Sequence, residues 1–160
     1  QPPFSQELIE QKMYLKTARY SFVQPMRLGF AAGGTLDTKQ VFAESFGKTL
    51  GLMFQLQDDL IDVTPGHDKS SFVDIETNQQ TLLSWFMYTQ APDEYRAHFR
   101  EYVGKALSDT DREAVAILID ESGARAYVQE RIDTYYKDVI RLADTPVWEA
   151  LASMVYKRNH

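Results

Sequence analysis

The chain has 160 residues, a length typical of a single domain. Its 17 basic and 23 acidic side chains give a formal net charge of −6, which argues against a nucleic-acid-binding module because contacts with phosphate require a basic face. The absence of Cys excludes disulfide scaffolds, thiolate metal sites and cysteine nucleophiles, whereas an aromatic content of 12% is sufficient for a sizeable core or an apolar pocket.

The first predicted helix begins at Ser5, an N-cap residue, and has Glu7 in its first turn, where a negative charge is favourable. Apolar residues follow at spacings of three and four. Pro25 should kink or break this helix, because proline lacks an N–H and clashes with the preceding turn. We expect Gly33 and Gly34 to end the segment.

A second helix is predicted from about Asp37 or Thr38 to Val63, because apolar residues recur there on one wide face. The turn residues 64–66 should end it. Asp74 is a candidate cap for a third helix, which carries an apolar cluster around Leu82 and Phe86.

Signals for four more helices follow. A turn at Pro92 leads into a short amphipathic helix. Ser108 and Asp111 have the spacing of a capping box, and Gly123 should end the helix that they begin. The next helix covers about residues 124–143, and Pro146 marks the start of the last one. Since no segment alternates strongly between apolar and polar residues, we predict an all-α fold.

Three acidic residues, Asp58, Asp59 and Asp62, lie near the end of the second predicted helix. Asp58 and Asp62 share one helical face, and Asp59 is about 100° away around the axis. Carboxylates in an apolar stretch repel each other and resist burial, and a hard cation such as Mg²⁺ relieves that repulsion. A solvated acidic face is the alternative, although acids are unfavourable at a helix C-terminus.

Two lysines are candidate anion-binding residues. Lys16 lies on an otherwise apolar helix, where a buried lysine would need an anion such as a diphosphate, and the alternative is a surface lysine whose stem covers apolar groups. Lys69 follows the acidic residues in a predicted loop, from which it could close over bound phosphates or could be an ordinary loop lysine.

Three motifs together resemble the trans-isoprenyl diphosphate synthases, most closely the farnesyl diphosphate synthases of the eukaryotic type. Residues 54–62 are similar to the second aspartate-rich motif of that family. Residues 16–22, followed by Pro25, are similar to its Lys-Thr segment, and residues 155–158 are similar to its basic C-terminus. The resemblance covers most of the chain, and all three motifs occur in the family's order.

The resemblance implies an all-α helical bundle around a deep cavity. In that cavity an allylic diphosphate ionises with the help of Mg²⁺, and isopentenyl diphosphate attacks the resulting carbocation. The expected activity is that of a magnesium-dependent prenyltransferase with a short-chain product of C10 to C20, farnesyl being the expected case. The allylic diphosphate and isopentenyl diphosphate are the implied ligands, and a homodimer is the implied assembly.

The resemblance also assigns roles to individual residues. It implies that Asp58, Asp59 and Asp62 hold Mg²⁺, with Asp58 the most direct ligand. By the same resemblance, Lys16 and Lys69 bind the allylic diphosphate. Thr17 and Gln55 orient oxygen dipoles towards the cation, and Tyr20 lines the same region. Lys157 and Arg158 help to order the closed state over isopentenyl diphosphate.

The chain departs from the family pattern in several places. It contains no first aspartate-rich motif, so we interpret residues 1–160 as the C-terminal half of one synthase domain whose natural N-terminus lies upstream. Asp68 replaces a glycine before Lys69, and Gln79 stands where the family has a lysine on the helix that begins near Asp74. Gln79 keeps a hydrogen-bond donor but loses the charge.

Two other functions remain open. A terpene synthase built on the same scaffold would ionise a prenyl diphosphate without using isopentenyl diphosphate, and the changes at Asp68 and Gln79 are compatible with it. A non-catalytic helical subunit that modulates a partner synthase would explain the missing upstream motif. An unrelated helical bundle with acidic surface residues is the remaining alternative.

No segment is expected to cross a membrane, since even the uncharged residues 77–92 are too polar and too few. No signal peptide is visible, although the chain begins at Gln1 without an initiator Met. The expected location is the cytoplasm, and organellar targeting stays open.

Overall fold

The computed structural model describes residues 4–66 and 71–158, and these two ranges contain helices and connecting turns but no strand. The predicted all-α class is therefore confirmed. The α-helices are α1 (Gln6–Met13), α2 (Gln24–Ala32), α3 (Leu36–Asp62), α4 (Val73–Glu76), α5 (Leu82–Thr89), α6 (Asp93–Tyr102), α7 (Asp109–Glu121), α8 (Ala124–Leu142) and α9 (Pro146–Lys157), and a π-helix covers Tyr14–Val23. Within these ranges, no helix combines the length and the apolar character needed to cross a membrane.

The N-terminal helical segment runs without interruption from α1 through the π-helix into α2. Ser5 begins it as predicted, because its hydroxyl oxygen accepts the N–H of Leu8 at 3.3 Å. The predicted break at Pro25 is wrong, because the helix continues through this residue, whereas the alternative of a kink stays a prediction. The N–H of Gln24 donates to the C=O of Arg19, five residues back, and Pro25 then falls in the first turn of α2. Pro25, which has no N–H, follows directly on this i→i−5 hydrogen bond, at the change from π- to α-helical geometry.

Most of the other predicted boundaries are confirmed. Ser108 and Asp111 form the predicted capping box of α7: the Asp111 N–H donates to the Ser108 hydroxyl oxygen at 3.2 Å, and the Ser108 N–H donates to the Asp111 carboxylate at 3.0 Å. Gly123 has a φ of +85°, a left-handed conformation that suits glycine at a helix end. Pro146 begins α9 as expected.

The prediction that Asp74 caps a long third helix is wrong. Asp74 lies inside α4, which has only four residues and ends at Glu76. The long apolar run begins a separate helix, α5, whose cap is Thr81: the Ser84 N–H donates to the Thr81 hydroxyl at 3.2 Å. The Thr81 N–H donates in turn to the Ser84 hydroxyl at 3.0 Å, which completes a capping box.

The described chain divides into two compact units, each with its own buried side chains. The first unit takes in Asp58–Glu130 together with the start of the chain up to Ile9, and the second takes in Glu10–Gln57 and the chain from Arg131 onward. Side chains without exposed surface in the first unit include those of Phe72, Met87, Phe99 and Ile119. Those in the second include Val23, Phe46, Leu50, Met53 and Val139.

Two glycines allow α3 to approach the π-helix closely in the second unit. A Cβ atom added at Gly51 would stand 2.5 Å from the Ala18 Cβ and 3.0 Å from the Phe22 ring. One turn earlier, a Cβ atom at Gly47 would stand 3.1 Å from the Val23 backbone. Since real Cβ atoms essentially never come within 3.0 Å of backbone or side-chain atoms, Gly51 fixes the distance between the two helices.

We expect Gly51→Ala to lower the free energy of unfolding by about 1–3 kcal/mol, because the added methyl group forces the π-helix away from α3. Gly29 in α2 supplies a matched control, since nothing lies within 4 Å of an added Cβ there. Gly29→Ala should be neutral or stabilising by about 0.5–1 kcal/mol. Urea unfolding monitored by circular dichroism measures both values, and equal stabilities of the two variants would contradict the proposed close packing.

Candidate functional site

The π-helix carries three of the predicted site residues. Thr17 is buried with 8% of its surface exposed, whereas Tyr20 is 78% exposed and Lys16 is also exposed. Lys16 therefore adopts the surface alternative, which leaves its ammonium group accessible to an anion. π-Helices of this length are rare, and short π-helical turns occur frequently at functional sites. The sequence contained no local signal for this conformation.

Thr17 and Gln55, which the sequence paired only through a family resemblance, lie in direct contact. The Thr17 hydroxyl donates a hydrogen bond to the side-chain oxygen of Gln55. Gln55 lies one turn after Gly51 on α3, so the close approach at Gly51 also sets the separation of this pair. Because the hydroxyl proton is engaged, the lone pairs of the Thr17 oxygen are what this residue can offer to another group.

The acidic residues at the end of α3 differ in burial. Asp59 is only 6% exposed, and Asp58 and Asp62 are intermediate. Among residues 4–66 and 71–158, no three His, Asp or Glu side chains gather as a group that could hold a metal ion. Mg²⁺ is commonly held by only one or two protein carboxylates together with phosphate oxygens of the substrate. A Mg²⁺ ion at this end of α3 would therefore need oxygen ligands from a bound molecule beside one or two of these carboxylates.

Asp62 holds the start of α4 through its carboxylate. One carboxylate oxygen accepts the Val73 N–H at 3.1 Å and the other accepts the Asp74 N–H at 3.1 Å. The Asp62 backbone C=O accepts the Phe72 N–H at 2.5 Å. Asp62 therefore meets three consecutive N–H groups that a helix N-terminus leaves without internal partners.

The same carboxyl is partly shielded from water. Burial raises the pKa of Asp62 to about 6, and the negative charge of Asp74 adds to this, whereas the N–H groups of Asp74 and Val73 oppose it. Each oxygen accepts one hydrogen bond from α4, so a metal ion at Asp62 would have to use the remaining lone pairs. The prediction that Asp62 holds Mg²⁺ stays a prediction.

Arg125 of α8 supplies a positive group at the end of α3. Its guanidinium donates to the C=O of Val63 at 3.1 Å and to the Thr64 hydroxyl at 3.3 Å, and it also pairs with Asp120. A cation at a helix C-terminus offsets the negative end of the helix dipole. This contact explains how acidic residues are accommodated there, and sequence reasoning missed Arg125 because it lies more than sixty residues away.

The basic residues at the end of α9 are exposed, and one of them contacts α3. The Arg158 guanidinium lies 3.6 Å from the centre of the Phe54 ring and donates to the Phe54 C=O at 3.3 Å. Gln57, which sequence reasoning missed, is 2% exposed and donates from its side chain to the Tyr156 C=O at 2.9 Å. Its only sequence signal is a polar residue in an apolar stretch.

Three remaining predictions concern residues between α3 and α5. Lys69 and Asp68 lie outside the described residues. Gln79 was expected on the same helix as Asp74, and this is wrong, because α4 ends at Glu76 and Gln79 lies in the connection to α5. Its backbone N–H donates to the Asp74 C=O at 2.7 Å, and its C=O accepts the Ser84 hydroxyl at 3.1 Å.

The first unit also contains a cavity of about 590 Å³ beside α7. Its described lining consists of Pro65, Gly66, Ser71, Phe72, Asp109, Arg112 and Glu113. The predicted aspartates do not belong to that set. The Arg112 guanidinium at its edge is paired with Glu76 at 3.1 Å, so its charge is already partly balanced.

The capping role of Asp62 predicts a stability effect that needs no metal. In buffer containing a chelator, Asp62→Ala should lower the free energy of unfolding by about 1–2 kcal/mol, because two N–H groups of α4 lose their acceptor. Asp62→Asn keeps one acceptor oxygen but turns an NH₂ group towards the second N–H, so it should lose stability as well. Asp93, whose side chain is 97% exposed, supplies the control variant Asp93→Ala. Equal unfolding midpoints for Asp62→Ala and Asp93→Ala would show that the cap contributes nothing.

Comparison with solved structures shows what this fold is similar to. A decaprenyl diphosphate synthase from Rhodobacter capsulatus is 20% identical over 99% of this chain and 52% of its own, with a TM-score of 0.82. A farnesyl pyrophosphate synthase from T. brucei is 19% identical over 98% of this chain and 50% of its own, with a TM-score of 0.68. At these identities the likeness shows the fold alone.

A third structure is somewhat more similar in sequence. It is a geranylgeranyl pyrophosphate synthase from Corynebacterium glutamicum in complex with isoprenyl diphosphate and magnesium. It is 25% identical over 97% of this chain and 46% of its own, with a TM-score of 0.81. This chain thus spans about half the length of the proteins that it matches.

A sequence profile decides the family. The profile described as polyprenyl synthetase matches residues 4–119, a range that includes the π-helix, the Thr17–Gln55 contact and the acidic end of α3. The match covers well over half of the chain and agrees with the shared helical fold. The chain therefore belongs to the polyprenyl synthetase family.

Proposed function

We propose that this chain is the C-terminal half of a magnesium-dependent prenyltransferase that joins an allylic diphosphate to isopentenyl diphosphate. The observation that carries the proposal is the hydrogen bond between the buried Thr17 and Gln55, in a chain of the polyprenyl synthetase family. The pair places two side-chain oxygens together on the π-helix and α3, one turn before Asp58.

The oxygen pair suits a reaction that passes through a carbocation. Loss of diphosphate from an allylic substrate leaves a positive charge spread over carbon atoms. Oriented oxygen dipoles stabilise developing positive charge when they are held in place before the reaction. The donated proton of Thr17 orients its oxygen, and the packing of Gly51 against Ala18 holds both helices at a fixed separation.

Binding of the leaving diphosphate requires positive charge. The exposed ammonium group of Lys16 lies next to Thr17 in the chain, and we assign it to the allylic diphosphate together with Lys69. Asp58, with Asp59, would hold Mg²⁺, which when bound neutralises the diphosphate as it leaves. Asp62 would also hold Mg²⁺, in addition to holding α4 against the end of α3 through its hydrogen bonds to Val73 and Asp74. Tyr20 would line the region around the allylic substrate.

The finer features of the enzyme remain predictions. We expect a short-chain product of C10 to C20, with farnesyl the expected case, and a homodimer. The similar structures include a decaprenyl, a geranylgeranyl and a farnesyl synthase, so they do not select a chain length. We assign Lys157 and Arg158 to the closed state over isopentenyl diphosphate, because both basic side chains are exposed at the end of α9.

A product assay on the intact enzyme tests the proposal. The enzyme is incubated with Mg²⁺ and dimethylallyl, geranyl or farnesyl diphosphate, with and without isopentenyl diphosphate, and products are identified by mass spectrometry. We expect elongated diphosphates that require isopentenyl diphosphate and disappear with a chelator. Hydrocarbons or alcohols formed without isopentenyl diphosphate would instead indicate a terpene synthase, and no turnover unless a partner synthase is added would indicate a regulatory subunit.

The same assay tests the metal assignment. Asp58→Ala should lower turnover roughly 100-fold or more, since the diphosphate loses its bound counter-charge. Asp93→Ala removes an exposed carboxylate from α6 and should leave turnover unchanged. Turnover of Asp58→Ala at the level of Asp93→Ala would refute the role of Asp58.

The Thr17–Gln55 pair should affect the chemical step more than substrate binding. Thr17→Val keeps the size of the side chain but removes the hydroxyl, and we expect kcat to fall about 10–100-fold with little change in KM. Thr17→Ser should restore most of the rate. Gln55→Met should lower kcat less in the Thr17→Val background than in the wild-type enzyme, because the two side chains act as a unit. Additive losses would argue against a shared role.

A further inference from the structure

The last turn of α9 is joined to α3 by a buried side chain. The final carbonyl groups of a helix have no partner within the helix and need an external donor. For Tyr156 that donor is the Gln57 carboxamide, at 2.9 Å and from a side chain that is 2% exposed. Gln57 of α3 therefore caps the C-terminal end of α9, although Gln57 and Tyr156 are 99 residues apart in the chain.

The orientation of this amide is determined by its partner. A carbonyl oxygen only accepts, so the NH₂ group of Gln57 must face Tyr156. The amide oxygen is then buried, and it accepts no hydrogen bond from the described part of the chain. An apolar side chain of equal length would avoid this unpaired acceptor, so the value of the amide lies in its hydrogen bond to α9.

Tyr156 is itself held firmly on its other side. Its ring stacks on that of Tyr136 with the ring centres 4.1 Å apart, and its hydroxyl donates to Asp133 at 2.9 Å. The Tyr136 hydroxyl is in turn 3.1 Å from that of Ser153. The end of α9 is thus fixed on α8, and Gln57 ties this assembly to α3.

A second contact joins the same two segments at the surface. Arg158 lies over the ring of Phe54 at 3.6 Å and donates to the Phe54 C=O at 3.3 Å. The Phe54 ring also packs against Phe22 of the π-helix, with the ring centres 5.4 Å apart. Phe54 immediately precedes Gln55, so both contacts of the α9 end fall within one turn of Gln55.

We propose that Gln57 is a positioning residue, which holds the basic end of α9 at a fixed place beside the turn of α3 that carries Gln55. This role rests on the proposed function, in which Lys157 and Arg158 act on isopentenyl diphosphate. Without the Gln57 hydrogen bond, the last turn of α9 frays, and the Lys157 and Arg158 side chains lose their fixed position relative to Gln55. Gln57 touches no substrate and acts through Tyr156.

Steady-state kinetics of the intact enzyme test this proposal. Gln57→Met removes the donor while keeping the length of the side chain, and Gln57→Glu replaces the donor with a carboxylate that repels the Tyr156 carbonyl. We expect the KM for isopentenyl diphosphate to rise about 10-fold in both variants, whereas kcat should change less than about 3-fold. Gln11→Met on α1, an exposed position, is the matched control and should behave as the wild type.

Limited trypsin digestion gives a readout that does not depend on activity. Cleavage after Lys157 or Arg158, followed by mass spectrometry, should be several-fold faster in Gln57→Met than in Gln11→Met. If Gln57→Met fails to fold, Phe54→Leu serves as a second variant, because it removes the ring under Arg158 at a half-buried site and should also accelerate cleavage.

The outcomes separate this role from the proposed function. A wild-type enzyme that turns over its substrates, with unchanged KM and unchanged cleavage in the Gln57 variants, overturns the positioning role alone. Changes in kcat and KM by equal factors, with unchanged cleavage, also overturn it. A wild-type enzyme with no prenyl transfer overturns the proposed function, and the positioning role with it.

Discussion

The close approach of α3 to the π-helix is the constraint on which the second unit depends. At Gly51 there is no room for even a methyl group, because the Ala18 Cβ already stands 2.5 Å from where it would lie. That contact determines which residues of the two helices face each other, so that Thr17 contacts Gln55 and the Phe22 ring packs against the Phe54 ring. The Thr17 and Gln55 oxygens are thus placed by two closely packed helices, and groups carried on helices are held more precisely than groups on loops.

Both ends of the acidic motif on α3 are held by distant parts of the chain, within their own units. In the second unit, Gln57 binds the C=O of Tyr156. In the first, Arg125 binds the Val63 C=O and Asp62 caps α4. The motif therefore combines residues suited to ligand binding with residues that hold neighbouring helices. The acidic pattern in the sequence does not by itself show which residues have which of these roles.

The sequence predicted helix ends correctly where their local signals are of the common kind. The capping box of Ser108 and Asp111 and the turn at Gly123 depend on residues within a few positions, and the structure contains both. The cap at Thr81 was missed because Ser84 stands where an acid or amide is usual. The π-helix and the Gln57 contact could not be predicted, because the first has no compositional signal and the second joins residues 99 positions apart.

The π-helix also affects how its segment responds to a change in length. A π turn contains more residues than an α turn, so deleting one residue within Tyr14–Val23 would allow the segment to return to α-helical geometry. The residues on either side would keep much of their register, because the change from π- to α-helical geometry offsets part of the rotation of about 100° that the loss of one residue causes in a regular α-helix. Glu10, which pairs with Arg131 at 2.8 Å, and Val23, which lies against Gly47, would therefore stay nearer to their partners than after the same deletion in a purely α-helical segment. The π-helix should accordingly tolerate the loss of one residue better than α3 would.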